Sequence, residues 1–239
     1  MKKNLSSLFV AFVTGIIVIA TSCSEENLAV EVVEKSIEAH GGWDNFYALK
    51  KINYKKNFQL FDEEGILERD IRQAHSTTFH PVYKNKIVSY DTITLTYDGT
   101  TYLKTISGRM AVPTSADTGL IFSSIYVLAQ PFKLMDPGVT LSYEGRDTLF
   151  NGREVEVVKA VYGEDGKENH PWWYYFDPDS NRCVGNLVDH NGDFSLIIND
   201  TYTTHSGILW NEKRTGYRTD QHGNVLFKRS DYSYAGYAD

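Results

Sequence analysis

The sequence predicts a mostly β (α+β) protein, in which a strongly curved antiparallel sheet carries an N-terminal helix and a mid-chain helical lid. After residue 52 most of the chain consists of alternating or β-branched segments, separated by turns that contain glycine. One helical pattern precedes these segments, and a second, strongly apolar one interrupts them. A curved sheet has a concave apolar face, which the inserted helix is expected to cover or plug.

The N-terminal helix is expected from Leu28 to His40, where Ala29, Val33, Ile37 and His40 recur at spacings of four, four and three. Gly41 and Gly42 end it, because glycine adopts the left-handed conformation at a helix C-terminus without strain. A second, short helix is expected from Asp44 to Lys50, with Asp44 as its N-cap.

The predicted strands form a meander joined by local turns. Asp98-Gly99 is the strongest hairpin signal, because this pair tolerates positive φ. The predicted segments are Asn57–Phe61, Ile66–Arg72, Thr92–Tyr97, Thr101–Ile106, Arg153–Tyr162, Trp172–Phe176, Cys183–Asp189, Phe194–Asp200, Gly207–Lys213, Gly216–Asp220 and Val225–Arg229.

The lid is the segment from Ser115 to Phe132, which lacks strict alternation and is expected to be helical up to Pro131. Its apolar residues form two adjacent stripes, Ile121, Ile125, Leu128 and Phe132 in one and Phe122, Tyr126 and Ala129 in the other. A helix that is apolar over more than half its girth is expected to be buried.

Residues 1–22 have the pattern of a secretory signal peptide. Lys2 and Lys3 precede a sixteen-residue apolar run from Leu5 to Ala20, and small residues lead to Cys23. The run is shorter than the roughly 20 residues that cross a bilayer as a helix, although a retained anchor helix is an alternative.

The Ala-Thr-Ser-Cys stretch resembles a bacterial lipobox, which implies that Cys23 is lipidated and anchors the chain to a membrane. Ordinary cleavage near Ser22, leaving a free Cys23, is the alternative. Residues 23–27 then form an acidic tether, similar to the surface-export signal of Bacteroidota lipoproteins. Localisation in the cell envelope, as an outer-membrane lipoprotein facing the periplasm or the cell surface, is expected.

The chain carries a formal net charge of −7 and has no basic block, which argues against a nucleic-acid partner. No linker, repeat or low-complexity block divides residues 28–239, so a single domain is expected there.

Motifs for catalysis, phosphate binding and metal binding are missing from the sequence, so a non-enzyme with no cofactor and no metal is expected. Cys183 is interpreted as a core residue because it stands at the start of a strand. The seven histidines show no ligand spacing for a zinc-type site. Asp177–Arg182 imitates the opening of a calcium loop but has Arg182 and Val188 where that loop needs glycine and glutamate, so a turn is expected.

The layout resembles that of the lipoprotein-localisation (Lol) proteins and the related lipoprotein lipid carriers. A helix with "SIEAHGG" precedes "NFYALKKI", and the mid-chain helix is followed by "PFKLMDPGVTLSYEGRDTLFNGREVEVVKAVY" and "YYFDPDSNRCVG". The later run is more similar still to an uncharacterised Bacteroidota outer-membrane lipoprotein family. The resemblance implies an unclosed β-barrel of about eleven strands with a helical lid.

The function predicted from these observations is non-enzymatic binding of a lipid, or of a lipoprotein's acyl chains, in the concave face of the sheet. An envelope protein is a further possible partner. The expected lining is Phe58, Leu60, Ile93, Leu95, Tyr97, Ile121, Phe122, Ile125, Leu128, Trp173 and Tyr175.

Trp172–Phe176 supports a different function, because its aromatic residues alternate between the two faces of one strand. Sugar rings stack on such platforms, so a cell-surface module that binds glycan or protein, with a filled barrel, is the alternative. Ordinary cross-strand packing also explains these aromatic residues. An enzyme is the third hypothesis and would need two carboxylates or a His–Asp pair converging in a cleft.

Overall fold

The structure is a computed structural model and describes residues 25–163 and 171–239. The predicted signal peptide and Cys23 lie outside the described residues, as does the loop 164–170. None of the described helices is long and apolar enough to cross a membrane.

Among the described residues, three α-helices and a short 3₁₀-helix accompany the sheet: α1 (residues 25–39), α2 (Gly42–Ala48), α3 (Ser115–Leu128) and the 3₁₀-helix Phe132–Met135. The predicted N-cap Asp44 is wrong, because α2 begins at Gly42 with Gly41 as its N-cap and Asp44 lies in the first turn. Gly41 has φ +113°, and a Cβ there would lie 2.2 Å from the Gly207 carbonyl oxygen. This close approach holds the α1–α2 corner against the sheet.

In the part of the chain that the structure describes, thirteen antiparallel strands form one sheet: β1 (Lys51–Phe61), β2 (Leu67–Thr78), β3 (Lys84–Ser89), β4 (Ile93–Tyr97), β5 (Tyr102–Ile106), β6 (Arg109–Ala111), β7 (Val139–Thr148), β8 (Glu154–Tyr162), β9 (Trp172–Phe176), β10 (Cys183–His190), β11 (Asp193–His205), β12 (Ile208–Thr219) and β13 (Val225–Ala238).

The strand order is β6-β5-β4-β3-β2-β1-β13-β12-β11-β10-β9-β8-β7, with β6 and β7 as unpaired edges. The predicted meander is confirmed, and the sheet does not close into a barrel. The count exceeds the eleven strands that the resemblance implies. β3, β6 and β7 were not among the predicted segments, and the two segments predicted between Gly207 and Asp220 form the single strand β12.

The sheet is strongly curved. Phe58 on β1 and Trp172 on β9 stand five strands apart, about 24 Å in a flat sheet at ~4.8 Å per strand. Both nevertheless line one cavity of about 370 Å³. The face that the two residues share is therefore concave.

α3 lies on the concave face, as predicted for the lid. Ile121, Ile125 and Leu128 of the first stripe are buried, whereas Phe122 of the second stripe is 41% exposed. Thr114 and Asp117 cap the helix reciprocally, and Lys104 binds the Asp117 carboxylate at 2.8 Å. Asn85 fixes the middle of α3 by donating to the Ile121 carbonyl oxygen at 3.2 Å and to Ser124 Oγ at 2.8 Å.

The main core joins the concave face to α1, α2, the end of α3 and the 3₁₀-helix. Ile37, Phe132 and Trp210 are each at most 1% exposed. Phe46 stacks on Phe132 with ring centroids 4.4 Å apart. This cluster fills one end of the concave face and leaves the other end hollow.

Candidate functional site

The hollow end of the concave face is the central cavity, of about 370 Å³, between the sheet and the Ser123 and Val127 side of α3. Five strands besides β9 contribute to its lining: β1, β10, β11, β12 and β13. Its size falls within the usual range for small-molecule sites.

Apolar residues form part of the lining of the central cavity. Phe58 and Leu60 alternate along β1, and Phe58 stacks on Tyr232 of β13 with ring centroids 4.5 Å apart. Val188 of β10 and Ile197 of β11 continue the apolar surface. An acyl chain would lose its hydration on entering this space, which is the driving force expected for binding a hydrophobic ligand.

Cationic residues form the other part of the lining, and the sequence-based prediction missed them. Lys56 precedes Phe58 on the same face of β1, and Arg214 and Arg218 share that face of β12. Alternation along β1 could have revealed Lys56. Arg214 was missed because it falls between the two segments predicted in place of β12.

A second space, the aromatic cleft, lies on the other side of α3 and has a volume of about 350 Å³. Phe122 and Ile125 of α3 face Trp43, Phe46 and Tyr47 of α2 across it. Trp43 stacks on Tyr47 with ring centroids 5.3 Å apart. α3 therefore separates the aromatic cleft from the central cavity.

A third space, the outer groove, lies on the opposite face of the sheet and has a volume of about 400 Å³. Trp173 and Tyr175 line it, and Lys159 lies over the Trp173 ring at 5.6 Å. Their neighbour Trp172 instead faces the central cavity, as strand alternation predicts.

The structure thus distributes the predicted lining residues over several places. Phe58 and Leu60 line the central cavity, Phe122 and Ile125 the aromatic cleft, and Trp173 and Tyr175 the outer groove. Leu95, Ile121 and Leu128 are core residues, and Tyr97 packs against Leu95 and Ile121. Ile93 is half-buried on β4. That any of them contacts a ligand stays a prediction.

Cys183 and Asp177, two reactive residues considered in the sequence analysis, have structural roles in the fold. Cys183 is fully buried, as predicted, and burial raises the pKa of its thiol to about 12, so it is a poor nucleophile. Its backbone N–H donates to His40 Nε2 at 3.2 Å. Asp177 accepts from Ser180 and Arg153 within a turn. Among residues 25–163 and 171–239, no group of three His, Cys, Asp or Glu side chains could hold a metal ion.

The architecture defines a class of proteins: unclosed antiparallel barrels whose concave face is covered by helices over a partly hollow interior. Solved structures that are similar to this chain in fold include the following two. One is a domain from Vibrio parahaemolyticus described as an outer membrane lipoprotein-sorting protein, with TM-score 0.55, 8% identity, and coverage of 89% of this chain and 92% of that chain.

The other is a LolA superfamily protein from Nitrosomonas europaea, with TM-score 0.56, 7% identity, and coverage of 87% of this chain and 92% of that chain. At these identities the likeness shows the fold alone, and it confirms the resemblance to Lol-type proteins. No protein-family model and no curated protein sequence matches the chain.

Proposed function

We propose that this chain is a cell-envelope lipoprotein, anchored through Cys23, that binds a lipid or the acyl chains of another lipoprotein without catalysing a reaction. The observation that carries the proposal is the central cavity, a hollow between α3 and the concave face of the sheet. The Lol-type fold supports the same function, and so does the apolar lining that Phe58, Leu60 and Val188 provide.

Binding in the central cavity is tested by filling it. The Leu60→Trp variant places a larger side chain in the cavity, whereas Gln59→Trp, on the opposite face of the same strand, serves as the matched control. The full chain is expressed, extracted from membranes with a non-ionic detergent and examined for bound lipid by native mass spectrometry and lipid extraction.

A bound lipid in the wild type and in Gln59→Trp, but not in a folded Leu60→Trp variant, is the expected result. If the chain takes up no lipid at all, or if Leu60→Trp retains it fully, the proposed site is wrong.

Anchoring is a separate step of the proposal. Acylation of Cys23 by more than one chain would hold the protein stably on a membrane, whereas one chain holds it only marginally. Mass analysis of the mature N-terminus should find a diacylglycerol group on Cys23, and Cys23→Ser should release the mature chain or leave its precursor unprocessed. An unmodified Cys23 at the N-terminus would overturn the anchor.

The outer groove favours a second candidate function, binding of a glycan or protein at the cell surface. Phe150 is 48% exposed at its edge and packs against Tyr217 with ring centroids 4.9 Å apart. Phe150→Ala together with Trp173→Ala should abolish such binding while lipid uptake persists. A glycan array probed with the wild type and the double variant distinguishes the two sites.

A further inference from the structure

Positive charge dominates the central cavity. Lys56, Arg214, Arg218 and Arg229 line it, and its described lining includes no aspartate or glutamate. This composition is unexpected in a chain of net charge −7, and burying several cations is costly in a cavity that receives only a hydrophobic ligand.

The charge of Arg229 is balanced by a neighbouring carboxylate. Its guanidinium binds the Glu68 carboxylate at 2.5 Å and also donates to the carbonyl oxygen of Phe61. The charge available to a ligand therefore belongs to Lys56, Arg214 and Arg218.

Arg214 is the most deeply placed of these three residues, at 3% exposure. Its Nε donates to Asn199 Oδ1 at 2.7 Å, and its Nη2 donates to Asn186 Oδ1 at 2.9 Å. Both acceptors are neutral amides, which orient the guanidinium but leave its charge uncompensated. Buried charges are normally paired, so this arrangement is typical of a site that receives an anion.

Lys56 lies close enough to Arg214 for the two charges to repel each other. Burial lowers the pKa of the Lys56 ammonium, and the Arg214 guanidinium lowers it further. Lys56 Nζ lies over the rings of Phe58 and Tyr232, at 5.5 and 5.4 Å from their centroids. An anion bound between the two cations would replace this repulsion by attraction.

Arg218 extends the cationic surface along the same face of β12, and its Nη1 donates to Ser195 Oγ at 3.0 Å. Gly216 stands between the two arginines, where a Cβ would lie 2.2 Å from Ser230 Oγ. The Ser230 and Ile197 side chains occupy the position that a side chain at residue 216 would take, so glycine is required there for close packing between the neighbouring strands.

We propose that the ligand of the central cavity is an anionic amphiphile, with its carboxylate or phosphate on Arg214, Lys56 and Arg218 and its apolar chain on Phe58, Leu60 and Val127. This rests on the proposed function, since it assumes that the cavity takes an acyl chain. A fatty acid and a phospholipid supply the two anionic groups, and arginine can bind either group in a bidentate manner.

The test is native mass spectrometry of the full chain, released from a non-ionic detergent after incubation with one probe at a time. The probes are dodecanoate, dodecyl phosphate, dodecanol and inorganic phosphate. Dodecanoate or dodecyl phosphate should be retained at least tenfold more than dodecanol, and preference between the two shows which headgroup the site takes.

Arg218→Gln and Lys56→Met should each remove most of this preference, and Arg214→Gln should remove all of it. Lys213→Gln is the matched control, because Lys213 is exposed next to Arg214 on β12 and does not line the central cavity, and it should change retention less than twofold. Circular dichroism establishes that each variant is folded. Should Arg214→Gln fail to fold, the Arg218 and Lys56 variants decide the question.

Equal retention of dodecanol and dodecanoate, unchanged in the variants, would overturn the anionic headgroup while leaving lipid binding intact. Retention of inorganic phosphate alone, with no chain-bearing probe, would overturn both the amphiphile and the proposed function. Loss of anionic probes in the cationic variants, with dodecanol binding unchanged, supports the proposal.

Discussion

The two ends of the concave face use the same strands in opposite ways. Along β12, Ile208 and Trp210 are buried in the core beneath the N-terminal helices, whereas Arg214 and Arg218 line the central cavity. On β1 the division is similar: Tyr54 is a core residue, whereas Lys56, Phe58 and Leu60 line the cavity. One end of each strand therefore stabilises the fold, and the other end is available for a ligand.

The difference lies in what covers the sheet at each end. α1, α2 and the 3₁₀-helix pack aromatic and aliphatic side chains onto the filled end. Among the described helices, α3 alone contributes to the lining of the hollow end, through Ser123 and Val127. Substitutions at the filled end are expected to change stability, and substitutions at the hollow end are expected to change binding.

The largest effect is expected from Trp210→Ala. Trp210 is 1% exposed, and its Nε1 donates to the His205 carbonyl oxygen at 3.1 Å. Loss of a fully buried aromatic side chain should lower the free energy of unfolding by about 3–5 kcal/mol. Phe58→Ala, in the half-buried lining of the cavity, should cost only about 1 kcal/mol. Urea unfolding of both variants tests the division, and equal losses would contradict it.

The pH dependence of stability should come largely from two buried histidines, and His40 at the filled end is the first of them. Burial lowers its pKa to about 4, despite the hydrogen bond to the Leu209 carbonyl oxygen, and the Arg182 guanidinium lowers it further. The unfolded state, with a histidine pKa near ~6.5, binds the proton more strongly. The contribution of neutral His40 is therefore complete above about pH 6.5 and is lost as the pH falls towards 4, by up to ~3 kcal/mol.

Thermal unfolding between pH 4 and 7 measures this dependence. His75 adds to it, because burial, assisted by the Lys56 charge, lowers its pKa to about 3. His40→Gln should remove about half of the slope in this range, because His75 still contributes, and it also lowers stability at neutral pH. A curve that stays equally steep in His40→Gln would show that other groups are responsible.

An intermediate effect is expected from Asn85→Ala, which alters the attachment of α3. Asn85 is 1% exposed, and its side chain contacts Ile121, Ser124 and Thr77 through hydrogen bonds. Removing it leaves buried polar partners unsatisfied, at a cost of about 1–3 kcal/mol. Hydrogen exchange should increase in α3 more than in α1. An equal increase in the exchange rates of α1 and α3 would mean that Asn85 does not specifically attach α3 to the sheet.

Much of the fold could be predicted from the sequence, because its signals are local. The Asp98-Gly99 turn follows directly from backbone preference, and Gly99 has φ +106°. The sequence predicts two segments in place of β12, Gly207–Lys213 and Gly216–Asp220, with Arg214 in the gap between them. Arg214 is a buried charge on the inner face of this strand, and in the sequence it has the pattern of a loop residue. Its partners Asn186 and Asn199 come from other strands, so no local signal predicts its burial.

The candidate site was harder to predict than the fold, because it depends on which face of the sheet is concave. Phe58 and Leu60 were selected because they are apolar, and they do line the central cavity, but Trp173 and Tyr175 lie on the other face of the sheet. Which face of a strand is concave depends on curvature, which is set by all thirteen strands together. Alternation along one strand identifies two faces and does not determine which one encloses the cavity.

The smallest expected effect concerns Lys56 alone. Burial and Arg214 lower the pKa of its ammonium in the unliganded protein, so a carboxylate bound beside both cations should raise it. A pH titration by NMR, with ¹³C-dimethylated lysines and with or without dodecanoate, measures this change. Lys55 is the internal reference, because it is the next residue and is exposed on the opposite face of β1.

The expected result is a rise for Lys56 with dodecanoate, no change at Lys55, and no rise for either residue with dodecanol, which carries no charge. In Arg214→Gln the Lys56 pKa should already be higher before any ligand is added, because one repelling charge is gone. A Lys56 titration that is identical with dodecanoate and dodecanol would place the headgroup elsewhere. The hollow end would then hold the chain of the ligand without recognising its charge.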